Sequence, residues 1–168
     1  VALKHNLSLW ETWSTLTECV RRGTTLRTEE MAARGADWTV PFIALMHRNG
    51  SQRAPLVVEA VGVDGVRHML DVGGGSGAYS IAFAQAKADL EAEIFDLATV
   101  LPIARGHVEA AGLAGRVKLR AGDLRADDLG AGYDLVLLSA ICHMLGPAEN
   151  ADLLGRVHRA LAPGGRVV

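Results

Sequence analysis

The chain has 168 residues, of which 49% are hydrophobic and 21% are charged. This composition predicts an ordinary globular protein with one substantial core and a small appendage. Its 17 basic and 19 acidic residues are spread along the sequence and give a formal net charge of −2. This balance argues against nucleic acid or an anionic membrane surface as a partner and favours a small neutral or anionic molecule. No apolar run reaches the roughly 18 residues that a membrane helix needs, so no membrane span is predicted.

The N-terminal third of the sequence predicts helices. Apolar and aromatic positions recur at steps of three and four from Leu7 to about Arg22, which predicts an amphipathic helix. Thr24 to Asp37 is polar and predicts a connection. Pro41 stands near the start of a helix that we expect to run through Met46, followed by a polar break at HRNGSQRAP. A further helix is predicted over APLVVEAVGV. We therefore expect residues 1–63 to form a helical extension.

From residue 64 onward, strand and helix patterns alternate. The predicted strands are Arg67–Val72, Ala92–Asp96, Arg116–Ala121, Tyr133–Ser139 and one that begins at Arg166, and the predicted helices are Gly77–Ala86, Thr99–Ala111 and Ala148–Leu161. Such alternation predicts a parallel sheet with right-handed crossovers and helices on both faces. The expected fold of residues 64–168 is a Rossmann-like, doubly wound, mostly parallel α/β domain. Because the sequence stops as its last strand begins, we expect further C-terminal strands to be missing from it.

The most informative segment is HMLDVGGGSGAYSIAFAQA, from His68 to Ala86. An apolar stretch ends on Asp71, breaks into glycines and resumes as a helix, which predicts a nucleotide-binding turn. Glycine tolerates positive φ and lets a ligand approach the backbone, and the helix that follows offers unpaired N–H groups. Gly73, Gly75 and Ala78 also satisfy the dinucleotide pattern G-x-G-x-x-G/A, so the glycines alone leave two cofactor classes open. Asp71 favours a cationic or hydroxyl-bearing ligand such as S-adenosylmethionine.

Two later carboxylates fit an adenosine ligand of either class. Asp96 ends the second predicted strand, 96 − 73 = 23 residues after Gly73, close to the roughly 20 expected for a carboxylate that binds ribose hydroxyls. Asp123 ends the third strand, in position to accept a hydrogen bond from an adenine amino group. The alternative for Asp96 is a solvated aspartate at a strand end. His143 lies just beyond the fourth predicted strand, Tyr133–Ser139. Because the carboxyl ends of parallel strands share one sheet edge, we expect Asp96, Asp123 and His143 to lie near one another.

The segments DVGGGSG, FDL, AGDL, YDLVLLSAICH and LAPGGRVV occur in this order from about Arg67 to the last residue. Together they resemble the class I S-adenosylmethionine-dependent methyltransferases. The sequence is similar to the small-molecule O-methyltransferases of the plant phenolic and bacterial natural-product type, which join a helical dimerisation domain to a Rossmann-like catalytic domain. The resemblance implies S-adenosylmethionine as cofactor, the hydroxyl of a small phenolic or polyketide-like molecule as acceptor, and a homodimer for the full-length protein. The cofactor contacts that it implies are Asp71, Gly73, Gly75, Gly77, Asp96, Leu97, Asp123, Leu124 and Ser139.

The resemblance also implies a catalytic base. His143 aligns with the ICHDW-like stretch of the plant enzymes, whose histidine acts as general base. A hydroxyl becomes a good nucleophile when its proton leaves, and imidazole titrates near neutral pH. The sequence departs from the family pattern, because Met144 and Leu145 stand where the plant enzymes have Asp-Trp, and Ser139 stands where they often have lysine. The alternative is a histidine that only shapes the pocket.

The remaining candidates have simpler interpretations. His47 lies in FIALMH, which is similar to the family's F-x-x-x-M helix near the cofactor, so a pocket contact is one interpretation. Cys142 is not expected to be a nucleophile, because residues adjacent in sequence point in different directions. Solvated side chains are expected at His5, His68, His107 and His158.

The cysteine pattern bears on the compartment. Cys19 and Cys142 are too few for a disulfide framework, and no histidine or cysteine spacing predicts a metal site. We therefore expect free thiols in a reducing cytoplasm.

Two other functions stay open at this point. One is an NAD-dependent oxidoreductase that uses the same turn, although no Tyr-x-x-x-Lys pair is present. The other is a non-catalytic, cofactor-binding scaffold.

Overall fold

The computed structural model describes residues 9–10, 12–24, 26 and 35–168. Residues 9–10 and 12–13 are helical, and a turn at Ser14 and Thr15 separates them from the next helix. This helix, α1, is Leu16–Arg22 and ends at Gly23, which adopts the left-handed conformation with φ of 68°. The predicted amphipathic helix is therefore confirmed over its C-terminal part, whereas residues 1–8 and most of the predicted 24–37 connection lie outside the described residues. The aromatic and aliphatic side chains of this segment, Trp13 and Val20 among them, are exposed.

Helix α2 is Ala36–Val61 and contains 26 residues. The predicted polar break at HRNGSQRAP is therefore wrong, because the helix continues through both Pro41 and Pro55. An interior proline costs a helix about 3 kcal/mol, so packing must offset this loss. The buried residues recur at helical spacing along one face of α2, and the polar residues of the expected break are mostly exposed on the others. The buried residues are Thr39, Ile43, Gly50 and Ala54.

The rest of the chain alternates strands and helices as predicted. In chain order the elements are β1 His68–Val72, α3 Ala78–Ala86, β2 Glu91–Asp96, α4 Leu101–Ala110, β3 Val117–Ala121, β4 Tyr133–Leu137, a 3-10 turn Cys142–Met144, α5 Pro147–Ala160 and β5 Leu161–Val167. The five strands pair in parallel in the order β3-β2-β1-β4-β5. The Rossmann-like parallel sheet is confirmed. The chain order reverses between β1 and β4, which is where ligands bind in open α/β sheets.

The last strand begins earlier than expected. β5 starts at Leu161, directly after α5, and not at Arg166. Its pairing with β4 shifts register, because Tyr133 lies opposite Leu161 whereas Leu135 lies opposite Arg166. This irregularity accommodates Pro163 and Gly164 inside the strand, which local sequence patterns assign to a turn.

The sheet is buried on both faces. Ile94 belongs to the apolar cluster that includes Phe83 of α3 and Val108 of α4. The next residue of β2, Phe95, belongs to the opposite cluster, with Leu153 of α5. Because neighbouring strand residues point to opposite faces, two cores enclose the sheet and hold the carboxyl ends of β1, β2 and β4 at one edge. No helix within the described ranges is long and apolar enough to cross a membrane.

Candidate active site

The turn between β1 and α3 has the conformation that its glycines predict. Gly73, Gly75 and Gly77 have φ of 66°, 59° and 76°, in the left-handed region that other residues avoid. A Cβ at Gly73 would lie 2.3 Å from Cδ1 of Ile141, and one at Gly77 would lie 2.3 Å from Cδ1 of Ile94. Backbone geometry therefore favours glycine at these two positions, and a side chain there would also force the neighbouring isoleucine to move.

Backbone N–H groups of the turn are available to a ligand. Among the described residues, the N–H groups of Gly74 and Ser76 have no hydrogen-bond acceptor, and Gly77, the N-cap of α3, provides no side-chain cap. By contrast, Gly73 N–H donates to the carbonyl of Phe95 at 2.7 Å, which ties the turn to β2. A compact set of donors beside a helix N-terminus fits acceptor oxygens of a nucleoside-type ligand.

Asp71, predicted as a cofactor contact, lies beneath this turn and is only 1% exposed. Its Oδ2 accepts a hydrogen bond from Ser80 Oγ at 2.8 Å. Burial raises the pKa of Asp71 to about 6, the nearby charge of Asp96 adds to the increase, and the Ser80 hydrogen bond opposes it. A Cβ at Gly74 would lie 2.8 Å from Cγ of Asp71. The carboxyl group therefore supports the turn from below, and its contact with a ligand stays a prediction.

Asp96 lies at the end of β2, directly beside the turn. Its Oδ2 accepts the N–H of Gly75 at 2.7 Å, and its Oδ1 accepts the N–H of Leu97 at 2.7 Å. Burial raises the pKa of Asp96, and these two backbone hydrogen bonds oppose the increase. Each carboxylate oxygen keeps a second lone pair, so the group can still accept hydrogen bonds from a pair of vicinal hydroxyls. These remaining acceptor positions fit the ribose hydroxyls of an adenosine ligand.

The loop after β3 contributes the next predicted contacts. Leu124 lies beside the turn, since its Cδ2 would be 3.7 Å from a Cβ at Gly73. The half-buried Asp123 is engaged with its own loop, because its Oδ1 accepts the N–H of Arg125 at 2.8 Å. The structure therefore brings Leu124 to the glycines. The adenine contact of Asp123 stays a prediction.

The segment after β4 carries the candidate base. Ala140 adopts a left-handed conformation with φ of 57°, and the chain then enters the 3-10 turn Cys142–Met144. Ile141 is 4% exposed and packs against Gly73, whereas His143, two residues later, is exposed. Asn150 Nδ2 holds this turn by donating to the carbonyl of Cys142 at 2.9 Å. His143 is therefore exposed and lies two residues from the contact with the glycine turn, the half-buried Ser139 precedes it, and the roles of both residues stay predictions.

Two histidines, His47 and His107, contact each other beside the turn, and the sequence did not predict this contact. His47 of α2 forms a 2.9 Å hydrogen bond between Nδ1 and Ser76 Oγ. Its ring stacks on His107 of α4, with centroids 3.6 Å apart and planes at 15°. The expectation that His107 is simply solvated is wrong, because it is half-buried in this stack. The F-x-x-x-M pattern pointed to His47, but no local signal connected it to a residue 60 positions away in sequence.

The fold and the turn define an α/β protein with a candidate nucleotide-binding site at the switch point of its sheet. The chain matches the O-methyltransferase domain family over residues 13–168 and belongs to that family. It is 36% identical over 112 residues to the L-tyrosine C(3)-methyltransferase of Streptomyces lavendulae, covering 67% of this chain and 31% of that protein. It is 38% identical over 109 residues to the 3-hydroxy-5-methyl-1-naphthoate 3-O-methyltransferase of Streptomyces sahachiroi, covering 65% and 32%.

Solved structures agree with this assignment. An O-methyltransferase family protein from Burkholderia thailandensis superposes with a TM-score of 0.84 at 27% identity, over 97% of this chain and 50% of that one. The S-adenosylmethionine-dependent methyltransferase SibL superposes with a TM-score of 0.72 at 29% identity, over 92% and 48%. The family and these neighbours favour S-adenosylmethionine over a redox dinucleotide as the cofactor. The chain spans about a third of the length of the two curated relatives and about half of the solved chains.

Proposed function

We propose that this chain binds S-adenosylmethionine at the glycine turn and contributes to methyl transfer onto a hydroxyl group of a small aromatic or polyketide-like molecule. The observation that supports this most is the connection of three elements at one turn: Gly73 contacts Ile141 of the histidine-bearing segment, and Gly75 is hydrogen-bonded to Asp96. Cofactor-binding and candidate catalytic groups therefore share one rigid edge of the sheet.

In this proposal, each part of the edge has a separate role. The free N–H groups of the turn bind the amino-acid end of the cofactor, and Asp96 accepts hydrogen bonds from its ribose hydroxyls. When bound, S-adenosylmethionine supplies an electrophilic methyl group on a sulfonium. Leu124 and Ile141 line the turn and exclude water from it. Leu97, Asp123 and Ser139 complete the proposed cofactor contacts.

His143 is the proposed general base. A neutral imidazole nitrogen of His143 would accept the hydroxyl proton as the acceptor oxygen takes the methyl group, whose bond to the sulfonium sulfur breaks and leaves a neutral thioether. The exposed position of His143 leaves it accessible to an acceptor, while the buried Ile141 anchors its turn to Gly73. The rest of catalysis is the alignment of oxygen, methyl carbon and sulfur.

Further parts of the proposal rest on the family and on the N-terminal region. We assign residues 1–63 to a dimerisation and linker region and residues 64–168 to the catalytic domain, with a homodimer as the assembly. The exposed apolar side chains of Trp13, which precedes α1, and of Val20 in α1 are consistent with a face that a second subunit covers. Both cysteines are free thiols, which is consistent with a cytoplasmic protein. The Streptomyces relatives favour a role in natural-product biosynthesis.

Two measurements test the proposal. Calorimetry with S-adenosylmethionine is expected to show binding, and no heat and no thermal shift at millimolar ligand would refute the cofactor assignment. Methyl transfer to a panel of phenols is expected to fall by about 10²- to 10⁴-fold in His143→Gln, with cofactor affinity nearly unchanged. The matched control is His158→Gln, at an exposed position of α5. Unchanged turnover in His143→Gln would remove the base assignment.

Transfer to carbon is the second candidate, because the Streptomyces lavendulae relative is named as a C(3)-methyltransferase of tyrosine. Mass spectrometry and NMR of the product distinguish a methyl ether from a new carbon–carbon bond. A methyl ether supports the hydroxyl as acceptor, and a ring-methylated product refutes it.

A further inference from the structure

One face of α2 runs along the glycine turn. Ile43, His47 and Gly50 are one helical turn apart and lie on the same side of the helix. Ile43 is 4% exposed, and its Cδ1 lies 3.9 Å from the position of a Cβ at Gly75. Gly50 allows close approach to α3, because a Cβ there would lie 3.0 Å from Cβ of Ala78. The helix therefore contacts both the turn and the start of α3, with His47 between these two contacts.

His47 makes the polar contact on this face. Its Nδ1 is 2.9 Å from Ser76 Oγ, and its Nε2 is 3.4 Å from Ser51 Oγ, near the outer limit of a hydrogen bond. His107 of α4 covers the ring by stacking at 3.6 Å. Three separate segments therefore meet at His47, which contacts α4 through His107 and the turn through Ser76, the residue before the N-cap of α3.

The chemistry of this cluster favours a neutral ring on His47. Partial burial lowers the pKa of His47, and the neighbouring His107 lowers it further. In a neutral imidazole one nitrogen donates and the other accepts, so either tautomer can satisfy Ser76 and Ser51 together. Ser76 is 4% exposed, and its hydroxyl is directed to α2. The Ser76 hydroxyl therefore stabilises the conformation of the turn through its hydrogen bond to His47.

The turn needs an external restraint of this kind. Gly73, Gly75 and Gly77 each have wide conformational freedom, so the free segment samples many backbone states that do not match a ligand. Asp96 restrains it from the β2 side through Gly75. The hydrogen bond between His47 and Ser76 restrains the other side of the turn, one residue further along the chain than Gly75.

We propose that His47 is a positioning residue that holds the glycine turn in its ligand-binding conformation through Ser76, with His107 keeping the imidazole in place. The inference rests on the proposed function, in which this turn binds S-adenosylmethionine. It adds a residue outside the turn, on α2, to the determinants of cofactor affinity.

Substitutions can separate the bond from the packing. His47→Phe keeps an aromatic ring for the stack on His107 but removes Nδ1, whereas His47→Asn keeps a polar atom where Nδ1 stands. Calorimetry with S-adenosylmethionine is expected to show about fivefold weaker binding for His47→Phe, which corresponds to about 1 kcal/mol. His47→Asn is expected to stay within about twofold of the unchanged protein.

A double-mutant cycle tests whether the two residues act through one bond. Ser76→Ala alone is expected to weaken binding as much as His47→Phe, and the double variant no more than either. Additive losses would overturn the inference, because Ser76 would then act on the ligand independently. His158→Phe, an exposed ring on α5, is the control and is expected to bind normally.

Amide hydrogen exchange gives a readout that needs no ligand. The amides of Gly75 and Gly77, whose N–H groups are hydrogen-bonded, are expected to exchange faster in His47→Phe and in Ser76→Ala, but not in His47→Asn. Unchanged affinity and unchanged exchange in His47→Phe would overturn the inference. If that variant does not fold, Ser76→Ala tests the same bond from the other side. If the unchanged protein binds no S-adenosylmethionine, the proposed function fails, and exchange still decides whether His47 restrains the turn.

Discussion

The buried carboxyl of Asp71 is expected to make the protein less stable as pH rises. In the unfolded chain Asp71 titrates near its ordinary value of 3.8, whereas burial raises its pKa in the folded protein to about 6. Between these values the unfolded chain loses its proton while the folded protein keeps it, so the free energy of unfolding falls with rising pH. A shift of about two units, at about 1.36 kcal/mol per unit, corresponds to about 3 kcal/mol in total.

The test is Asp71→Asn, compared with the unchanged protein by urea denaturation at several pH values. Asparagine keeps the carbonyl that accepts the Ser80 hydroxyl but does not titrate. Any packing cost of the amide is the same at every pH and cancels in the comparison. The free energy of unfolding of the variant, relative to that of the unchanged protein, is expected to rise by about 2 kcal/mol from about pH 4 to about pH 8. Most of this increase is expected below about pH 7.

Asp134→Asn is a control of opposite sign. Burial raises the pKa of Asp134, but the backbone N–H groups and the charges of His68 and Arg67 outweigh this effect. The pKa of Asp134 is therefore lowered overall. Its stabilising contribution is present above the unfolded pKa and is lost as pH falls, so Asp134→Asn is expected to lose most stability at the higher pH. A constant difference between Asp71→Asn and the unchanged protein across this range would refute the argument about burial.

Two further substitutions test the packing around the turn and the sheet. Gly73→Ala combines a left-handed φ with a clash against Ile141 and is expected to cost about 2 to 4 kcal/mol in urea denaturation. Gly112→Ala, also left-handed but facing open space, is expected to cost about 1 kcal/mol; equal losses would contradict the clash. Arg116→Met removes a guanidinium that donates to three backbone carbonyls, one in the last turn of α3 and two between α3 and β2, and is expected to cost about 2 kcal/mol. Arg105→Met, on the exposed surface of α4, is expected to stay within about 0.5 kcal/mol, and a similar loss in both variants would contradict the role of those carbonyls.

The sequence alone was sufficient for the features whose cause is local. Positive φ at Gly73, Gly75 and Gly77 restricts those positions to glycine, so the turn is visible in the residue order itself. The alternation of short apolar runs with amphipathic stretches likewise predicted the parallel sheet, because each pattern reflects how one segment is buried. For the same reason the strand-end position of Asp96 was predicted correctly.

The tertiary structure decided what depends on residues far apart in the chain. Helix α2 continues through Pro41 and Pro55 because its buried face packs on the domain, and that gain is not encoded in the local preferences of HRNGSQRAP. The stack of His47 on His107 joins two helices that are separated in sequence by β1, the glycine turn, α3 and β2. Burial of Asp71 likewise depends on every element around β1. Local patterns specify which conformations a segment can adopt, whereas packing between segments selects among them and sets the chemistry of the side chains enclosed there.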